Sequence, residues 1–345
     1  MERLLCIKIA SRGDLLLAGP AFRHLREARP SARITLLVGA SCGDVARHLP
    51  FFDEVKTMDD HSLMASGTCA AACEARQLLG WLKQSETDEV FIFHRDWRYG
   101  LLAWIAGIRV RRGFQNGFWS FLLTHPYRAG EKEHHVSQYL GMIGAGQASE
   151  IPIQGVWKFH GDEREQGLAA AASHGFNDAS AKWIALGFGG GRNVKTHTGL
   201  KTWPIRHYHA LASQLEKQGF RVAWVGDLHD AATLEEPFDG VNLAGKLSVS
   251  ETAAVLSACS GVVSNDTLML HLAEALGIPS VGIFGPTDPS HYRPLGKRSS
   301  HVWYGKNLSC SPCHRDGWFP VCSHQHRCMA ELSVESVLQQ VEATR

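Results

Sequence analysis

Short apolar runs separated by helical stretches recur through both halves of this chain, and no other feature narrows its fold as much. Residues 4–10, 34–38 and 90–93 form such runs in the first half, and residues 183–186, 221–225, 261–264 and 280–284 form them in the second. A strand buried on both faces reads in this way because neither side of it meets water. Between the runs, Leu17, Ala21 and Leu25 share one helical face, and residues 67–83, 204–218, 250–260 and 266–276 carry helical patterns. Strands alternating with helices predict an α/β architecture of doubly wound parallel sheets.

A chain of 345 residues exceeds what one core usually organises, so two domains are expected. Residues 150–155 have the proline and glycine punctuation of a linker, which places the domain boundary near residue 155 and makes residues 1–155 the first domain. With 44% hydrophobic residues, 20% charged and a formal net charge of +1, the composition is that of a globular enzyme with no strong field for a polyanion. Nucleic acid is therefore not an expected partner. Apolar stretches such as residues 100–108 stop short of the roughly 20 residues that a membrane helix needs, so no transmembrane segment is expected. Charges flank the first apolar run where a signal peptide would need an unbroken one, and that run is read as the first strand. The cysteine count, nine, is odd, and Cys6, Cys42, Cys69, Cys73 and Cys259 are scattered. That pattern points to a reducing compartment and a cytoplasmic protein.

Four segments and a cysteine-bearing tail carry candidate chemistry. Asp14 follows Ser11 and Gly13 after the first run, at the mouth of the first helix. A carboxylate there is either an N-cap that accepts backbone N–H bonds or a general base that takes the proton of an attacking hydroxyl. Lys201, with Trp203 and Pro204, follows the glycine-rich residues 187–191 and opens a helix that Pro204 would start. It is either a surface lysine or a cation in a strand-to-helix loop of the kind that cradles phosphates. Gly187 and Gly189 lack the third glycine of a dinucleotide fingerprint, and no P-loop pattern occurs. Residues 262–279 read as strand, polar turn and helix, with Asp266 and Thr267 at the helix N-terminus and His271 one turn beyond Thr267. The N–H groups and dipole of that terminus favour an anion such as a pyrophosphate, although capping alone would account for Asp266 or Thr267. Residues 284–289 form either a rigid loop at the same sheet edge or a plain turn. In the tail, Cys310, Cys313, Cys322 and Cys328 are interleaved with His314, His324 and His326. A structural zinc or iron site, a reduced cluster tied into a loop, and disulfides formed on purification all fit that spacing.

Taken in order, these segments resemble glycosyltransferase family 9, the bacterial heptosyltransferases that build the inner core of lipopolysaccharide. The opening from Ile7 to Asp14, with Gly19, Pro20 and Ala21 after it, is similar to the family's start. Lys201 to Pro204 is similar to its lysine motif, and Leu243 to Ser248 with Gly245 to its glycine turn. Its most specific signature is matched by Asn265, Asp266, Thr267 and His271, followed by Phe284, Gly285, Pro286 and Thr287. The cysteine-bearing tail also recurs in relatives.

The resemblance implies a GT-B fold, two Rossmann-like doubly wound domains facing an inter-domain cleft, with the acceptor held by the first and the nucleotide sugar by the second. The second domain would span residues 156–330, and the C-terminal helix, residues 334–343 within the closing segment 331–345, would pack back toward the first domain. Asp14 would deprotonate the acceptor hydroxyl, with Ser11 and Gly13 on the acceptor-side loop. Lys201 and the helix start at Thr267 would stabilise the leaving diphosphate without a metal. Asp266 and His271 would hold the donor sugar or its phosphates, and Asp230, with Asp227 as second choice, would reach the nucleotide ribose. Where the family usually has glycine after Asp-Thr, this chain has Leu268, a side chain that would narrow the donor pocket or change donor choice. The implied function is inverting transfer of heptose from ADP-heptose to a lipopolysaccharide core or related glycan or glycolipid acceptor. No cofactor would be required for catalysis, and the protein would be cytoplasmic or peripheral at the inner face of the inner membrane. The alternatives are another nucleotide-sugar donor, a non-catalytic nucleotide-sugar-binding protein, and a metal or redox sensor built on the cysteine tail.

Overall fold

The computed structural model describes residues 1–60, 69–146, 151–193, 196–197, 199–234, 238–314 and 318–344. Gly67 and Thr68, expected in a helix, and Glu150, expected in the linker, lie outside these residues. The chain divides into two units, Met1–Ile151 and Pro152–Arg345.

In the first unit, β1 (Arg3–Ile7), β2 (Arg33–Gly39), β3 (Glu54–Met58), β4 (Glu89–Ile92), β5 (Val110–Phe114) and β6 (His125–Tyr127) form one sheet in the order β3-β2-β1-β4-β5-β6. All its pairings are parallel, and the register sets Ile7 beside Leu37 on one side and Ile92 on the other. Leu5, Ile7, Leu37, Val90 and Ile92 pack against Tyr99 and Ala103 of the helix Trp97–Ile105 and against Leu78 and Leu82 of the helix Cys69–Gln84. The inner strands are continuous apolar runs because helices cover both of their faces.

The second unit repeats the plan with β7 (Trp183–Gly187), a short antiparallel pair β8 (Arg192–Asn193) and β9 (Thr196–His197), then β10 (Arg221–Val225), β11 (Val241–Asn242), β12 (Gly261–Asn265), β13 (Ser280–Phe284) and β14 (Ser299–Trp303). Its parallel sheet runs β11-β10-β7-β12-β13-β14, the same winding as the first. In each sheet the chain reverses its direction of winding beside the first strand, between β1 and β4 and between β7 and β12. At such a point the loops leaving adjacent strands diverge and open a crevice at the carboxyl edge.

Trp203, Tyr208 and Trp224 fill the second core with Leu186, Val263 and Ile283. The C-terminal helix Val334–Ala343 contributes to this core, where Val337 and Val341 are buried. Val334, Val337, Leu338 and Val341 recur at helical spacing and form the stripe that meets the helix Ile205–Lys217 and strands β13 and β14. Ser333 starts the helix by accepting a bond from Ser336 N, 3.2 Å. Among the described residues no helix is long and apolar enough to cross a membrane.

Burying a carboxylate in this stripe should be costly. Val337→Asp is expected to lower the unfolding free energy by about 3 kcal/mol or more, while exposed Gln339→Ala stays within about 0.5 kcal/mol in urea denaturation.

Candidate functional site

The carboxyl edge of β12 is organised by Asn265. Its side-chain amide is fully buried and donates to Phe188 O at 3.0 Å and to Gly189 O at 2.9 Å, while its Oδ1 accepts from Trp203 N at 3.2 Å. Three segments distant in sequence are thereby tied at one edge. Trp203 is anchored behind them by its indole N–H, which donates to Leu332 O at 3.0 Å.

Next to Asn265, the Asp266 carboxylate is buried and Lys201 reaches it. Lys201 Nζ donates to Asp266 Oδ2 at 2.8 Å and to Asp266 O at 3.2 Å, and His271 Nε2 lies 3.7 Å from Oδ1. Burial alone would raise the Asp266 carboxyl, but the Lys201 ammonium and the His271 imidazole outweigh it and hold the group well below the usual carboxylate range. An ammonium has three donors, and these two bonds leave one for another acceptor. The Lys201 ammonium also stands 5.9 Å from the Tyr292 ring and 5.8 Å from the Phe319 ring. His271 Nδ1 and Thr287 Oγ1 are buried without a hydrogen-bond partner among the described residues, so this edge carries polar capacity that the protein does not use. Thr267 is the N-cap residue of the helix Leu268–Ala275 but makes no side-chain cap bond; its hydroxyl sits 3.2 Å from that of Ser264. Leu268 is the first residue of that helix and is half-buried.

The first unit has a counterpart at the end of β1. Asp14 is not the helix cap, a position held by Ser11; it lies in the first turn of the helix Arg12–Leu17. Its Oδ2 accepts from Lys8 Nζ at 3.2 Å, and Lys8 is buried. Exposure within the two ion pairs is opposite. The carboxylate is the accessible member of the first, 29% exposed against 4% for Lys8, and the ammonium that of the second, 20% against 4% for Asp266. Each buried partner serves as fixed counter-ion to an accessible group.

The other candidates fall into place differently. Asp227 is a cap: its side chain accepts from His229 N and Asp230 N, and its own N–H donates to Asp230 Oδ2 at 2.9 Å. The Asp230 carboxylate lies against Gly189 and Gly226, and a Cβ at position 189 would overlap it, which is why the chain needs glycine there. In the tail, Cys313 N donates to Pro286 O at 2.9 Å and Ser311 Oγ to Gly285 O at 2.8 Å. Cys310, Cys313, Cys322 and Cys328 are free thiols, and among the described residues no three His, Cys, Asp or Glu side chains are grouped to hold an ion. Burial, helped by Cys313, Cys322 and Cys310, pushes the Cys328 thiol up to about 11.

Two residues were given no role by the sequence. Lys8 sits inside an apolar run, and a charge in a strand buried on both faces is itself the signal of a specific partner. Asn265 carried no visible role, because its three bonds go to backbone groups far away in sequence.

The model of glycosyltransferase family 9 (heptosyltransferase) matches residues 76–318 of this chain. "Lipopolysaccharide heptosyltransferase 2" of Escherichia coli K12 is 25% identical over 304 residues, covering 83% of this chain and 84% of the relative. The structure of E. coli ADP-heptose lps heptosyltransferase II aligns with a TM-score of 0.75 at 21% identity, over 100% of this chain and 98% of that one. An E. coli heptosyltransferase solved with ADP aligns with a TM-score of 0.71 at 20% identity, over 99% of this chain and 100% of that one. The shared fold is GT-B, two Rossmann-like α/β units.

Breaking the second pair should expose its cost. Lys201→Met is expected to destabilise by about 2–3 kcal/mol, below the figure for a fully buried pair because Lys201 is partly exposed, and adding Asp266→Asn should recover part of the loss. The folded Asp266 carboxyl titrates below its unfolded value, so the pair's contribution is present above about pH 4 and is lost as the pH falls. Urea titrations at pH 7 and pH 3 should therefore show the gap between wild type and Lys201→Met narrowing in acid.

Proposed function

The chain belongs to glycosyltransferase family 9, and on that premise we propose that it moves heptose from ADP-heptose to a hydroxyl of a lipopolysaccharide core or related glycan acceptor, inverting the anomeric carbon without a metal. The observation that carries this reading is the opposite exposure of the two ion pairs. Sugar transfer needs a base for the attacking hydroxyl and positive potential for the departing diphosphate. Asp14 offers an accessible carboxylate held by buried Lys8, and Lys201 offers an accessible ammonium fixed by buried Asp266.

Asp14 takes the proton as the acceptor oxygen bonds to the anomeric carbon. The bond from that carbon to the diphosphate oxygen breaks, and its electron pair leaves with ADP. The remaining donor of Lys201 and the helix terminus at Thr267 face the developing charge, a role that needs no ion. His271 Nδ1 and Thr287 Oγ1 serve the donor's polar groups, and Asp230 serves the ribose. Leu268, in place of the glycine of the family pattern, favours a second reading in which another nucleotide sugar is the donor.

Thermal unfolding with ADP, UDP and GDP at matched concentrations separates the two readings. A nucleotide at 100 times its dissociation constant stabilises by about 2.7 kcal/mol. ADP alone should raise the midpoint, whereas a response to UDP or GDP alone replaces the donor and no response to any removes the nucleotide-sugar site. Asp14→Asn should keep the ADP response but lower turnover, followed as ADP release with acceptor present, by about 10²-fold or more. Unchanged turnover would make Asp14 a structural first-turn acid.

A further inference from the structure

A patch of outward-facing aromatic side chains in the first unit takes no part in the chemistry above. Among the described residues, nine large hydrophobic side chains are strongly exposed, and five of them, Trp104, Ile105, Phe118, Trp119 and Phe121, fall within one short stretch. Phe118 is 81% exposed, Phe121 60% and Trp104 53%, values that a core residue never approaches. They are held rigidly. The 3-10 turn Gly117–Leu122 buries only Leu122 and is closed by Ser120 Oγ, which donates to Gly117 O at 2.8 Å and accepts from Asn116 N at 2.9 Å. Trp119 stacks on Trp97 with ring centroids 4.0 Å apart and planes within 9°, and Phe118 packs between Trp119 and Phe121 at 5.6 and 5.4 Å. Trp104 lies two turns beyond Trp97 on the helix Trp97–Ile105, so the aromatic face continues along it.

The surrounding charge is one-sided. Residues 94–128 hold six arginines and a single acidic residue, in a chain whose formal net charge is only +1. Asp96 pairs with Arg98, and Glu89 with Arg112. Arg109 and Arg128 are exposed and have no acidic partner among the described residues. Arg109 follows the Trp104 end of the helix. Gln115 N donates to Tyr127 O at 2.7 Å, which brings Arg128 to the start of the aromatic turn.

We propose that this face docks on an anionic phospholipid surface, with Trp104, Phe118, Trp119 and Phe121 entering the headgroup level and Arg109 and Arg128 meeting lipid phosphates. Indole and phenyl rings prefer that level, and an arginine rim adds attraction to negative headgroups. A two-fold dimer through the same face would set arginine rims against each other, which disfavours a second copy as the occupant. The proposal is independent of the transfer reaction, since binding to lipid is read without donor or acceptor.

The test is co-sedimentation of the full chain with vesicles of phosphatidylglycerol and phosphatidylethanolamine, against vesicles of phosphatidylcholine. Binding is expected on the anionic vesicles only and should weaken in about 0.5 M salt, where the Debye length falls to a few ångströms. Phe118→Ser with Phe121→Ser, and separately Arg109→Gln with Arg128→Gln, should each weaken it about tenfold or more, with the thermal midpoint and the ADP response unchanged. Absence of binding to anionic vesicles, equal binding to neutral ones, or variants that bind like wild type would overturn the proposal. So would a dimer that Phe118→Ser with Phe121→Ser converts to monomer while no form binds vesicles.

Discussion

One buried amide, the side chain of Asn265, holds the part of the second unit on which the candidate site rests. Both of its N–H groups and its carbonyl are matched by backbone partners on the loop after β7 and on the segment before the helix Ile205–Lys217. A buried amide leaves its partners unsatisfied if any of these segments moves, so the three are locked together at the edge of β12. Lys201 stands two residues before Trp203, and Asp266 follows Asn265 directly. The amide thus brings into contact two charges that are 65 residues apart in the chain.

The charges themselves follow one logic in both units. Placing an ion pair at a sheet edge costs desolvation that its own attraction roughly offsets, so such a pair adds little net stability. What it supplies is position and sign. Buried Lys8 leaves a carboxylate facing outward, and buried Asp266 leaves an ammonium facing outward. Two doubly wound sheets of the same winding therefore present opposite chemistry at equivalent edges, a carboxylate in one and a cation in the other.

The tail is tied to the same edge of the second unit. Cys313 and Ser311 bond to Pro286 and Gly285, and a Cβ on Gly285 would run into Met329 and approach Cys328 Sγ at 3.2 Å. Through this packing Phe319 reaches the surroundings of Lys201. The four thiols are close enough to influence one another, and the segment is positioned by backbone and hydroxyl bonds together with the bond that His326 N donates to Cys322 Sγ at 3.4 Å.

The amino-acid sequence by itself determined the inner strands β1, β2, β4, β7, β10, β12 and β13 and the parallel winding, because a strand covered on both faces must be apolar throughout. It also placed Asp14, Asp266 and Thr267 where a strand gives way to a helix, and His271 one turn further along the helix, since a polar residue between an apolar run and a helical stripe has few other positions. The edge strands β3, β6, β11 and β14 and the penultimate β5 were not legible: they are short or carry charged and polar residues, as in Glu54–Met58 and Val110–Phe114, because the rim of a sheet is less covered than its centre. Only the tertiary structure decided that Lys8 answers Asp14, that Lys201 answers Asp266, that Asn265 ties three loops together, and that the last helix closes its own unit. Local patterns record which faces are buried. Which residues meet across a sheet edge depends on strand order and on hydrogen bonds between distant segments, and no spacing along the chain encodes those.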